Sequence, residues 1–159
     1  MFAKPQKEHE WLQQFIGDWT SEMDCAMGPD QPRQKSKGKE SVRSLGGLWM
    51  LGEGEGEMGD GSIGYTLITL GFDPAKGRFV GSFVGSMMTH QWLYDGSLDE
   101  SGTVLTLDSE GPSMTGDGAI TPYRDVVTIV SPDHRTLSSH CPDGNGGWTE
   151  FMTAHYRRV

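Results

Sequence analysis

Hydrophobic positions recur every three to four residues only once, near the start of the chain. Between Pro5 and Gly17, Leu12, Phe15 and Ile16 form one stripe with Trp11 beside Phe15, while Lys7, Glu8 and Gln14 lie elsewhere. This spacing predicts a short amphipathic helix over 5–16. Pro5 suits a first helical turn and Gly17 a C-terminal stop. So short a helix is marginal alone and must pack on another surface. After Gly17 the pattern changes to apolar–polar alternation broken by turn residues. Strands are expected over 18–27, 38–46, 48–58, 63–72, 78–98, 103–110, 121–131, 134–141 and 148–158. The segment 78–98 reads either as one strand or as two, bent near Gly85. Gly28-Pro29-Asp30, Gly59-Asp60-Gly61, Asp73-Pro74-Ala75-Lys76-Gly77, Asp99-Glu100-Ser101-Gly102, Ser131-Pro132-Asp133 and Asp143-Gly144-Asn145-Gly146-Gly147 supply the turns. The polar, Lys-rich stretch 28–39 reads as a loop.

Many short strands at near-regular spacing, with no βαβ unit between them, indicate an antiparallel meander. A meander must dispose of its edge strands, and closure into a barrel does so. A barrel of eight to ten strands encloses a ligand-sized interior, and the helix ahead of the first strand would cap one end. The expectation is thus an all-β, up-and-down barrel built from a single domain over residues 1–159.

Composition narrows the function. The 159 residues carry 22 acidic and 13 basic side chains, a formal net charge of −9, with pI near 4.9. Such a chain lacks the clustered Lys and Arg that nucleic-acid binding requires. Trp11, Trp19, Trp49, Trp92 and Trp148 are large buriable anchors, which argues against disorder. The N-terminal MFAKPQKEHEWLQQF has no apolar run fit for a signal peptide, and no stretch approaches the length of a membrane span. A cytoplasmic protein is expected. Cys25 and Cys141 form neither a disulfide framework nor a zinc motif.

Gly17-Asp18-Trp19 stands where helix gives way to strand, and this resembles the G-x-W opening of lipocalin-like (calycin) barrels. The resemblance implies that Trp19 packs at the closed end beneath an arginine of the last strand, Arg157 or Arg158. Glu8-His9, Leu12, Leu45-Gly46-Gly47-Leu48-Trp49, Gly71-Phe72-Asp73, Ser86-Met87 and Tyr156-Arg157-Arg158 extend the likeness along nearly the whole chain. In order and spacing they are similar to the uncharacterised bacterial family called domain of unknown function 1579. That family implies the fold but no established activity. Where it often shows an aromatic-x-Asp-Ser-Met run, this chain has Phe83-Val84-Gly85-Ser86-Met87, so chemistry assigned to that Asp does not carry over.

Candidate chemistry centres on Ser86 to Asp95. Strand alternation would put Met88, His90, Trp92 and Tyr94 on one face. Such a soft, aromatic face suits a small, largely apolar or aromatic ligand, and it equally suits plain core with one satisfied histidine. If the last hairpin turns at Asn145, His140 lies opposite Glu150. That pair is either an acid–base unit, an alternative to His90 for catalysis on the barrel, or an exterior cross-strand salt bridge. Arg43 and Arg124 sit in expected strands. Facing inward they could clamp a ligand carboxylate, and facing outward they are surface.

His90, His140 and His155 suggest a three-histidine zinc site. The hairpin register opposes it, since His155 would face Arg135, about 17 Å along the strand from His140. No metal site is therefore expected. His155 by itself is similar in position to the axial haem ligand of nitrobindin-like barrels, and haem binding stays as an alternative. Its other reading is packing near Trp19. No other cofactor is expected, since P-loop, Rossmann, G-x-S-x-G and H-E-x-x-H motifs are all missing. Glu53, Glu55 and Glu57 alternate with Gly52, Gly54 and Gly56. The acids read as a solvated face, and the glycines leave space inside or let another backbone approach. Asp143 to Gly147 lacks the later ligands of a calcium loop and reads as a turn. Exposed apolar strand residues on an acidic barrel leave homodimerisation open.

Overall fold

The N-terminal stripe folds as α1 (Lys7–Leu12), continued by a 3₁₀ turn at Gln13–Phe15. The computed structural model describes residues 1–26, 28 and 30–159. Met27 and Pro29, expected at a strand end and in a turn, lie outside the described residues. Ten strands follow: β1 (Gly17–Ala26), β2 (Arg33–Leu45), β3 (Trp49–Glu57), β4 (Ile63–Asp73), β5 (Arg78–Gly85), β6 (Trp92–Leu98), β7 (Val104–Pro112), β8 (Ile120–Ser131), β9 (His134–Pro142) and β10 (Trp148–Arg158). Each pairs antiparallel with its neighbours in sequence, and β1 also pairs with β10, so the sheet closes. Closure removes the two free edge strands of an open meander, with β6 and β7 paired over Asp95–Leu98 and Leu105–Asp108. No described helix is long and apolar enough to cross a membrane.

Two expectations are corrected here. Residues 33–39 are strand, not loop, and pair residue for residue with β1. The stretch 78–98 takes the second of its two readings, two strands parted after Gly85; what is corrected is the alternation expected over 86–91, which connects them.

The core fills one end. Leu12, Phe15 and Trp19 are buried there with Phe79, Leu105 and Leu107. Trp11 meets Phe15 and Phe79 edge-to-face at 5.3 and 5.7 Å, and its indole N–H donates to the Gly102 carbonyl at 2.7 Å. His9 locks the helix to β4. Its Nδ1 accepts the Gln6 amide at 2.9 Å, which leaves the proton on Nε2 to donate to the Phe72 carbonyl at 3.0 Å. α1 is thus held by tertiary contacts, as its length requires.

Trp19 anchors this closed end. Its indole N–H donates to the Phe15 carbonyl at 2.8 Å, and the Arg158 guanidinium lies 4.2 Å from its ring. Arg158 also donates to the carbonyls of Ile16 (2.7 Å) and Gln14 (2.9 Å), tying the last strand to the end of the helix. Arg157 points outward beside Thr20 and His134.

Candidate functional site

The other half of the barrel is not filled. A cavity of about 330 Å³ runs from the Phe15 plug towards the end that carries connections 58–62, 86–91, 113–119 and 143–147. Glycines open part of this space. Gly52, Gly54 and Gly56 face inward while Glu53, Glu55 and Glu57 face out. A Cβ on Gly56 would meet nothing within 4 Å. Gly38, directly across from it on β2, cannot take one, because the Glu55 carbonyl occupies that position.

The outer part of the cavity is aromatic and thioether-rich. Trp92 packs edge-to-face on His90 at 4.7 Å and on Tyr123 at 5.0 Å, and Tyr123 continues to Phe151 at 6.0 Å. The Trp92 indole N–H donates to the Met88 sulfur at 3.0 Å. Trp92 fits because it lies against Gly111 of the adjacent strand β7, where any Cβ would strike the ring. Met23, Met50, Met58, Met87, Met88 and Met152 all line the space. Such side chains adapt to a guest's shape. Gly85, which stands where the family often has Asp, is overlaid by the Met87 sulfur, so an Asp there would displace the thioether.

The inner part is polar, and among the described residues one fully buried side-chain atom there lacks a hydrogen-bond partner. Glu40 and Arg135 form an ion pair with side-chain exposures of 10% and 9%. The Arg135 guanidinium lies 4.2 Å from the Tyr156 ring, 4.4 Å from Trp19 and 5.2 Å from Phe15. Its Nη1 is buried without a hydrogen-bond partner, and these ring faces offset the loss. Burial and the Glu40 charge push the Tyr156 hydroxyl far above its ordinary pKa, so it stays a neutral phenol. Further along, Asp125 accepts the Tyr94 hydroxyl at 2.7 Å and the Ser139 hydroxyl at 2.6 Å. Burial raises the Asp125 carboxyl above the usual range, against those two hydrogen bonds and the charge of His140. The same burial, with Asp125 beside it, raises Tyr94 well above its usual value.

The residues expected at a site divide by face. Met88, Trp92 and Tyr94 line the cavity. His90 stands at its rim in the connection 86–91, with Nε2 on the Glu110 carbonyl at 3.0 Å. His140 and Glu150 are opposed in the last hairpin as expected, but on the outer wall, and they do not form an ion pair among the described residues. The Glu150 carboxylate accepts the Thr153 hydroxyl, and the His140 ring meets the Arg124 carbonyl at 3.3 Å. The pair therefore cannot serve the interior.

Arg43 and Arg124 also face out. Arg43 sits between the inward Val42 and Ser44 of β2. Arg124 pairs with Asp108 at 2.7 Å and stacks on Trp148 at 4.6 Å.

His155 is corrected too. A bulge between Glu150 and Met152 moves the register by one, so Tyr156 instead faces Arg135. His155 then lies on the outer wall, stacked with His134 and 3.0 Å from its Nε2, away from Trp19 and from the cavity. Neither an interior haem ligand nor packing at Trp19 follows. Among the described residues no three His, Cys, Asp or Glu side chains gather as a metal site. Asp143 accepts the amides of Asn145 and Gly147, the turn expected there.

Sequence reading missed Glu40, Asp125 and Arg135. The signal was present: each is a charge at an inward position of its strand, in step with Val42, Val127 and Leu137 respectively.

A closed antiparallel ten-strand barrel, plugged by an N-terminal helix and hollow behind it, is the lipocalin-like architecture. The chain belongs to the family described as protein of unknown function (DUF1579), whose model matches residues 4–158. No curated protein matches it in sequence. Among solved structures it is similar to Rv2717c from M. tuberculosis, at 14% identity over 98% of this chain and 99% of that one, with TM-score 0.71. It is also similar to the S-type phycobiliprotein lyase CPES from Guillardia theta (15% identity, 98% of each chain, TM-score 0.59). A third is EF1p2_mFAP2b bound to DFHBI (13% identity, 96% and 100% of the two chains, TM-score 0.51). At these identities the likeness is one of fold.

Proposed function

We propose that the protein binds a small, largely apolar or aromatic molecule inside the barrel. The observation that carries this is the cavity of about 330 Å³, walled by aromatics, thioethers and bare glycine backbone, with a few fixed polar groups at its inner end. Pockets for small molecules have this size and composition. An interior meant only as core would be close-packed and would not leave the Gly56 position open. A barrel of related fold, EF1p2_mFAP2b, is bound to DFHBI, which supports the shape as a container. A cytoplasmic setting belongs to the same reading.

A solvatochromic neutral dye, prodan, tests it. Its emission should shift to the blue and intensify with the wild-type protein. Gly56→Phe, which fills the open position, should abolish the response while leaving the melting temperature near that of the wild type. Equal enhancement in both proteins would place the dye outside the barrel and refute the reading.

A further inference from the structure

Among the described residues, the inner, buried part of the cavity holds one carboxyl group without a counter-charge, Asp125. The cavity lining includes the cations Arg135, committed to Glu40, and Lys39, whose ammonium lies 3.6 Å from Glu55. Asp125 has only two neutral donors, the Tyr94 and Ser139 hydroxyls. No ion pair reaches it among the described residues. A carboxylate can accept about four hydrogen bonds, so half its capacity is unused. Asp125 lies mid-strand on the inward face of β8 yet keeps accessible surface, which faces the cavity it lines.

The groups around Asp125 do not supply the missing charge. From β6 comes Tyr94, and from β7 the uncharged Leu107 and Ser109. From β9 come Ser139, and His140 on the outer wall; from β10 comes the neutral Tyr156. The Glu40–Arg135 pair is internally balanced. An ionised Asp125 therefore leaves the interior one negative charge in excess. The walls above it include Trp92, Tyr123 and Phe151, and the faces of such rings attract organic cations. The chain's net charge of −9 draws cations towards the protein.

Resting on the binding role above, we propose that the guest is a lipophilic amine that enters as its ammonium and seats that group on the Asp125 carboxylate. An anionic guest would instead meet two carboxylates with only one guanidinium between them.

Calorimetric titration with naphthalen-2-ylmethylamine and with its neutral analogue 2-ethylnaphthalene tests this. Asp125→Asn should weaken the amine by about tenfold or more and leave the hydrocarbon within about twofold. The wild-type protein offers a second readout that needs no variant. Lowering the pH lets a proton compete for Asp125, so the amine should lose affinity while the hydrocarbon does not. If the hydrocarbon binds but the amine does not, or if both respond alike to the variant and to pH, the amine assignment is overturned and the container role stands. If the hydrocarbon fails to bind the wild-type protein, the container role falls and the assignment with it.

Discussion

Two arginines share one indole at the closed end, and only one of them seals it. Arg158 stacks on Trp19 and donates to carbonyls at the end of the helix, whereas Arg135 reaches the same ring from inside while paired with Glu40. Arg158→Ala should therefore cost about 2–3 kcal/mol in urea unfolding, and Arg157→Ala, which exposes nothing, about 0.5 kcal/mol at most. Equal losses would contradict this division. Asp125 makes a prediction of opposite character. Folding raises its carboxyl pKa, mainly by burial. The stability this group contributes is then fully present below the unfolded value near 3.8 and is lost as pH rises through the folded value. Asp125→Asn should show a shallower decline of stability over that window, and an unchanged slope would refute it. The Trp19–arginine contact was legible from the opening Gly17-Asp18-Trp19. The inner polar groups were not, because a charge on an inward strand position looks like ordinary surface until its neighbours are known to be interior.

At the scale of elements, a strand lining a hollow need not alternate in hydrophobicity. Ser36 and Gly38 face the interior while Lys35, Lys37 and Lys39 face water, so the first half of β2 carries no apolar signal and reads as a loop. The opposite error arises at 86–91. Met87 and Met88 are apolar because they border the cavity, and that continued the pattern past the true end of β5. The β10 bulge is a third case, since a single inserted residue turns His155 outward and leaves no trace in the alternation. A barrel of eight to ten strands, the capping helix and the meander order were nonetheless readable, because turn residues mark them in sequence. Sheet packing also fixes which glycines can change. A Cβ on Gly81 would strike the Thr69 carbonyl of β4, whereas one on Gly56 meets open space. Gly81→Ala should cost about 1–3 kcal/mol, read as a lower urea midpoint at constant slope. Gly56→Ala should leave the midpoint almost unchanged. The reverse order would mean that the register of β4 on β5 is different.

The molecule as a whole divides its interior between a packed end that stabilises and a hollow end, the one proposed to receive a guest. Leu12, Phe15 and Trp19 close the first, and the helix that carries two of them is also what keeps the barrel from being a tube. Six methionines around the second report on its occupancy. Methionine-methyl NMR on protein labelled with carbon-13 at those groups, titrated with 2-ethylnaphthalene, is the most direct measurement. Met50, Met88 and Met152 should shift together and saturably, while Met1, exposed outside the barrel, stays fixed. Methyl resonances that remain in place at saturating hydrocarbon, or that move no more than Met1, would show that nothing is received inside.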